Sequence, residues 1–238
     1  MQNTKIYAGI LAGGVGSRMG STALPKQFLN LGGKPIIIHT IEKFLLCPRF
    51  ERVYAAVVSD YAEYTKELCQ KYIGNHEKLK VIAGGSDRNG SIVNVISELR
   101  REDSSPDSIL VTHDAVRPFV SAELIDANID AAIEHGSTDT VIPAYDTVIR
   151  SIDGESIAEI PVRDELYHGQ TPQSFRVGWF EEDYNSLSDE NKSILTDACK
   201  IFTLAGRKVR IVMGDPNNLK ITTPFDIKMA EAILGSNV

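Results

Sequence analysis

The sequence predicts an α/β fold built on a mostly parallel, doubly wound sheet. Three observations carry that expectation. Strand-like apolar runs alternate with amphipathic helical stretches along most of the chain. Glycine-rich or carboxylate-bearing turns recur just after the strands, where such sheets bind ligands. The 238 residues, 42% hydrophobic and 24% charged, suffice for one soluble domain with a substantial core.

Taken in order, Ile6–Leu11 reads as a buried strand, because its residues are apolar on both faces. LAGGVGSRMGSTALPK, from Leu11 to Lys26, follows it as a glycine-rich loop. Pro35 suits the first turn of a helix whose Ile37, Ile41, Phe44 and Leu45 share one face. Val53–Val58 is a second strand, Tyr61–Tyr72 a helix, and Val81–Ala83 a third strand ending at Gly84 and Gly85. Ile92, Ile96 and Leu99 mark the next helix, and Ile109–Val111 a strand running into Thr112, His113 and Asp114. Leu124–Ile133 is helical, with Ile125, Ile129 and Ile133 expected inward.

The cadence breaks between about Pro143 and Phe175. Two β-favouring pieces, Thr147–Ile152 and Ser156–Val162, flank the hairpin dipeptide Asp153-Gly154, and the polar, aromatic run Tyr167–Gln173 has no core periodicity. This segment reads as a β-arm leaving the main domain. Helices near 177–187 and 194–205, a strand at Val209–Met213 and a last helix with Ile227, Ala230 and Ile233 inward resume the pattern. Residues 1–238 therefore read as a single Rossmann-like domain with an arm at about 143–175.

Four groups of residues could carry chemistry. The first loop offers backbone donors freed by glycine, together with Arg18 and Lys26, a combination suited to a polyphosphate. It is not a Walker A loop, because no glycine is followed by Lys at the required spacing. Nor is it a dinucleotide fingerprint, since Met19 stands where the third glycine belongs, which disfavours a nicotinamide-dependent oxidoreductase. The second group is Gly84–Ser91, a glycine-rich turn that is equally a helix start capped by Ser86 or Asp87. The third is Asp114, placed for Mg²⁺, with a turn aspartate as its plainer reading; His113 beside it reads as a packed, hydrogen-bonded histidine. The fourth is Lys220, an anion ligand or a solvated lysine, ahead of a capping arrangement of Thr223, Pro224 and Asp226.

What is missing narrows the chemistry. No Ser/His/Asp or Cys/His set and no zinc-type spacing is evident, and Cys47, Cys69 and Cys199 read as reduced thiols. The net charge of -7 argues against a broad nucleic-acid surface. Neither a signal peptide nor a membrane-spanning run is seen, so the expected location is cytoplasmic. Positioning and charge neutralisation, as in phosphoryl-group chemistry, fit this inventory.

With these residues assembled, the chain resembles the cytidylyltransferases that activate small polyol phosphates. LAGGVGSRMG, LPKQFL, HTIEKF, GGSDRNGS, THDAVRP, GQTPQSF, LTDACKIF and NLKITTPFDI carry the resemblance through nearly the whole length. Two branches are relevant, the methylerythritol-phosphate enzymes and the ribitol-5-phosphate enzymes of wall teichoic acid synthesis. HTIEKF, LYHGQTPQSF and LTDACKIF look like the ribitol-phosphate branch. The other usually has Trp where Tyr167 stands and an acidic residue where Ala198 stands.

The resemblance implies roles for named residues. Leu11, Ala12, Gly13 and Gly14, with Gly84, Gly85, Ser86, Asp87, Arg88, Asn89 and Ser91, would hold CTP, as would Asp114 and Ala115. Arg18 and Lys26 would neutralise the triphosphate, and Asp114 would sit by the ribose and Mg²⁺. Thr147, Arg163 and Thr171 would place the polyol phosphate together with Lys220, and Arg163 and Lys220 would orient its attack. Arms of the family exchange across a twofold axis, implying a homodimer, and a partner reductase is a possible source of ribitol 5-phosphate. A regulator that binds CTP without turnover is the alternative from another class.

Overall fold

A computed structural model describes residues 4–14, 24–195 and 197–236. Arg18 and Met19 lie outside the described residues, as does Thr196. Among the described residues the main sheet has seven strands: β1 (Ile6–Ala12), β4 (Arg52–Val57), β5 (Leu79–Ala83), β6 (Ile109–Asp114), β7 (Ser137–Pro143), β8 (Tyr167–Arg176) and β9 (Arg210–Met213). Two short strands, β2 (Asn30–Leu31) and β3 (Lys34–Pro35), form a separate ribbon. In the sheet the order is β5-β4-β1-β6-β8-β7-β9, and only β8 runs antiparallel to its neighbours.

The chain steps from β1 outward to β4 and β5, then returns to the other side of β1 for β6. That reversal opens a crevice at the carboxyl ends of β1 and β6, the usual ligand position in open α/β sheets. Alternate residues of β1 face opposite cores. Ile6, Ala8 and Ile10 pack with α1 (Ile36–Leu45), α2 (Ala62–Tyr72) and α4 (Ala122–His135). Tyr7 and Leu11 pack with α3 (Arg88–Arg100), α5 (Val177–Ser186) and α7 (Cys199–Leu204). Each face buries a full helix layer, which is what doubly wound means in residue terms. The short α6 (Asp189–Ser193) links α5 to α7, and α8 (Pro224–Ser236) closes the chain over Leu31, Ile36 and Val116.

Several expectations need correction. Tyr167–Gln173 is not part of an outward arm; it begins β8, an interior strand between β6 and β7. Its Gln170, Thr171, Gln173 and Ser174 are buried polar residues, so hydropathy alone hid the strand. The excursion that leaves the sheet is residues 144–166, nearly all exposed. Its two β-favouring pieces meet only at the bridge Arg150–Glu159 rather than in a ladder. Ile133 is 37% exposed, whereas Ile125 and Ile129 are buried as expected. The helix expected at 194–205 starts at Cys199.

Candidate active site

The two glycine turns meet over the crevice. A Cβ on Gly13, just beyond β1, would come 3.1 Å from Ser91 Oγ and 3.9 Å from the Gly85 carbonyl oxygen, so the loops touch where side chains are missing. The second turn is locked by its own hydrogen bonds. Ser91 Oγ accepts from Gly85 N–H (3.1 Å) and donates to the Asp87 carbonyl (2.9 Å). Asp87 caps α3 by accepting from Gly90 N–H at 2.8 Å, and a Cβ on Gly85 would lie 2.3 Å from Gly90 C. The capping reading of Asp87 is therefore right, and the same turn also walls the cavity.

That cavity has a volume of about 340 Å³. Leu11, Ala12, Gly13 and Gly14 line one side, and Ser86, Asp87, Arg88 and Ser91 the other. Lys26, Asp114, Ala115 and Lys220 complete it from three further segments. Gly84, Gly85 and the buried Asn89 stand behind the second wall rather than on its surface. Gln27, which sequence reasoning passed over, lines the cavity and donates to the Ala12 carbonyl at 2.9 Å, joining the 3₁₀ turn Lys26–Phe28 to the end of β1.

At the cavity floor one carboxylate faces three cations. Lys220 Nζ lies 2.8 Å from Asp114 Oδ2, Arg117 Nε 3.6 Å from the same oxygen, and Arg88 Nε 3.5 Å from Oδ1. Burial by itself would raise the Asp114 pKa, but Arg88, Lys220 and Arg117 reverse that and hold it well below the usual carboxylate range. Three positive charges around one negative leave the floor positive, which suits a polyphosphate. Arg117 was missed in the sequence. The signal was there, since Asp114 and Arg117 stand three residues apart in HDAVRP, but a buried Arg is not recognisable without its partners.

Beneath Asp114 the polar groups are interlocked. His113 Nε2 is 3.0 Å from the Arg117 carbonyl, an acceptor, so the ring proton sits on Nε2. Nδ1 then accepts from the Thr171 hydroxyl (2.9 Å), whose oxygen accepts from Asp114 N–H (3.2 Å). Burial pulls the His113 pKa down to about 4, so the ring is neutral, and it is the packed histidine expected. Arg117 Nη1 donates to the Asn218 carbonyl (2.7 Å), and Asn218 Nδ2 donates to the Thr171 carbonyl (2.7 Å). Thr171 thus buttresses Asp114 from β8 without lining the cavity. Thr147 and Arg163 do not line it either; both lie on the exposed excursion, where the Arg163 side chain is 56% exposed.

With the geometry in place, comparison with known proteins is decisive. The model of the 2-C-methyl-D-erythritol 4-phosphate cytidylyltransferase family, IspD, matches residues 6–236. The chain belongs to this family. A 4-diphosphocytidyl-2C-methyl-D-erythritol synthase from Anaerococcus prevotii is 28% identical over 98% of this chain and 96% of its own, with a TM-score of 0.79. The Francisella tularensis 2-C-methyl-D-erythritol 4-phosphate cytidylyltransferase is 26% identical over 96% and 99%, also at 0.79. The Thermus thermophilus enzyme of that name, 24% identical over 98% of both chains at 0.69, supports the shared fold. As an IspD-family member the protein is a CTP-dependent cytidylyltransferase. Among the described residues no helix is long and apolar enough to cross a membrane.

Proposed function

We propose that the protein transfers the cytidylyl group of CTP to D-ribitol 5-phosphate, giving CDP-ribitol and pyrophosphate, for wall teichoic acid or a related polymer. The cationic floor around Asp114, roofed by two glycine turns, is the observation that supports nucleotide chemistry here. The choice of polyol rests on the ribitol-branch look of LYHGQTPQSF and LTDACKIF. Ala198 is fully buried in the core, a position where the acidic residue usual in the other branch would have to be accommodated among Phe175, Phe180 and Phe202. The alternative acceptor is methylerythritol phosphate, the compound named for the family model and for the relatives.

The attacking group is a phosphate monoester, already largely dianionic near neutral pH, so no general base is needed. Its oxygen forms a bond to the α-phosphorus of CTP as the bond to pyrophosphate breaks. Lys26 lies on the cavity wall to offset triphosphate charge, with Arg18 assigned the same task. Lys220 holds the floor through Asp114 and orients the attacking phosphate together with Arg163. Thr147 on the excursion and Thr171, through Asp114, complete the polyol side.

The carboxylates lining the cavity, Asp114 and Asp87, are few and already hydrogen-bonded or ion-paired. That donor set fits Mg²⁺, which binds through one or two carboxylates plus substrate phosphates and keeps several waters. When bound, it would supply charge neutralisation on the phosphates beside Asp114.

The excursion carries Tyr145, Ile152, Ile160 and Val162 outward into solvent, an apolar set that supports a homodimer in which the arm reaches a twofold-related site. A reductase supplying ribitol 5-phosphate and a cytoplasmic setting belong to the same proposal. The test is pyrophosphate release with CTP over a panel of polyol phosphates. Preference for ribitol 5-phosphate is expected; preference for methylerythritol phosphate would transfer the reading to the other branch. CTP binding without pyrophosphate release from any of them would leave the regulator.

A further inference from the structure

Outside the cavity lining, two chain segments bring together ligand atoms that the reaction does not use. Asp139 projects from β7, Asp197 precedes α7, and Cys199 opens that helix. A carboxylate oxygen from each aspartate and the Cys199 Sγ all lie within 4.8 Å of one another. Asp197 is explained in part as a cap, since its Oδ1 accepts from Lys200 N–H at 3.0 Å. Capping does not account for a second carboxylate closing on the same point as the buried thiol, whose Sγ donates to the Thr138 carbonyl at 3.4 Å. A fourth group points there as well. Gln173 of β8, 3% exposed, donates Nε2 to Asp139 Oδ1 at 3.0 Å, while its own Oε1 is buried without a hydrogen-bond partner.

We propose that Asp139, Asp197 and Cys199 form a binding site for a thiophilic divalent cation of the zinc class, separate from the metal that accompanies the nucleotide. Sulfur with carboxylate oxygen selects such an ion over Mg²⁺ or Ca²⁺, which take oxygen alone. Zinc bonds of about 2.0–2.3 Å hold tetrahedral donors roughly 3.3–3.8 Å apart, so modest side-chain rotation closes the present set. On binding, the thiol proton passes to solvent and the sulfur lone pair to the metal. One thiolate and two carboxylates then exceed the dication by one negative charge, which Arg88, ion-paired with Asp114, offsets in part. Gln173 orients Asp139, and its spare oxygen or a water takes the fourth position.

The test uses Co²⁺ as the spectroscopic stand-in for Zn²⁺, titrated into the full chain without nucleotide or Mg²⁺. A sulfur-to-cobalt charge-transfer band should saturate at one ion per chain and disappear when Zn²⁺ is added. Cys199→Ala should abolish the band, Cys47→Ala and Cys69→Ala should leave it, and Asp139→Asn should weaken Co²⁺ binding by ~10-fold or more. No band in the wild-type protein, or an intact band in Cys199→Ala, overturns the site. Should Cys199→Ala fail to fold, Asp139→Asn decides: unchanged Co²⁺ affinity overturns it equally. None of these readouts depends on the identity of the polyol.

Discussion

Lys220 Nζ stands 2.8 Å from Asp114 Oδ2, joining the loop before the last helix to the carboxyl end of β6. The pair keeps a cation at the cavity floor while Arg88 and Arg117 hold the remaining edges of the same carboxylate. Removing the carboxylate charge therefore frees three cations at once.

Asp114→Asn should leave the fold intact yet raise the Mg²⁺ concentration needed for activity, because the residue removed is the floor carboxylate proposed to sit by the metal and the phosphates. The measurement is activity against Mg²⁺ at fixed CTP. Unchanged Mg²⁺ and CTP dependence would return Asp114 to a purely structural turn aspartate.

Lys26 lines the wall of the cavity, and in the proposed reaction charge builds there at the α-phosphorus. Lys26→Ala should lower kcat by ~10²-fold or more, the scale of losing one preorganised donor. A kcat that survives while only the KM for CTP rises would make Lys26 a ground-state binder.

In the proposed site, base choice falls to the glycine turns, whose backbone can accept from the cytosine amino group where uracil offers only an acceptor. CTP should be used at least ~10-fold better than UTP, since one lost buried hydrogen bond costs about 1–3 kcal/mol. Equal kcat/KM values for the two nucleotides contradict this.

His113 gives a pH signature. Its folded pKa of about 4 lies below the ordinary histidine value near 6.5, so the unfolded chain binds the extra proton first. Its contribution is present above about pH 6.5 and is lost as the pH falls toward 4, amounting to about 3 kcal/mol. Urea unfolding of the wild type and His113→Asn between about pH 7 and pH 4.5 measures it. The variant should lose that part of the slope; equal slopes would mean the ring titrates normally.

Arg163 and Thr147 sit outside their own cavity, which makes the crossing of the arm testable. Lys26→Ala and Arg163→Ala should each be nearly inactive. If the arm reaches a twofold-related site as proposed, about half of the dimers refolded together are mixed under random pairing, and each mixed dimer has one site free of both lesions. Roughly a quarter of wild-type activity should then return. A mixture no more active than its parents, with exchange confirmed by mass, would mean that the arm serves its own subunit.

The sheet was legible where strands are apolar on both faces, as in β1, β4 and β6, and the end of β6 was found with its aspartate. Thr223 and Asp226 were legible too: Thr223 N–H reaches Asp226 Oδ2 at 2.8 Å and Asp226 N–H reaches Thr223 Oγ1 at 3.3 Å, a reciprocal cap written in local sequence. β8 was not, because its buried side chains are polar and find partners from distant segments, as Thr171 does with His113 and Asn218 Nδ2 does with Gln170 Oε1 (3.2 Å). Arg117 and Gln27 escaped for the same reason. Their roles lie in contacts between segments, which no spacing rule encodes.

Pro143 at the end of β7 is opposite Tyr167 at the start of β8, so the excursion leaves and re-enters the sheet at a single spot. Closing a loop between ends already pinned costs an entropy that grows only logarithmically with its length. Residues 144–166 are therefore placed to be exchanged as a cassette. Another segment can be grafted between the same two anchors while the cavity and both cores stay as they are, so, with the excursion placing the acceptor as proposed, acceptor preference can diverge faster than the nucleotide chemistry.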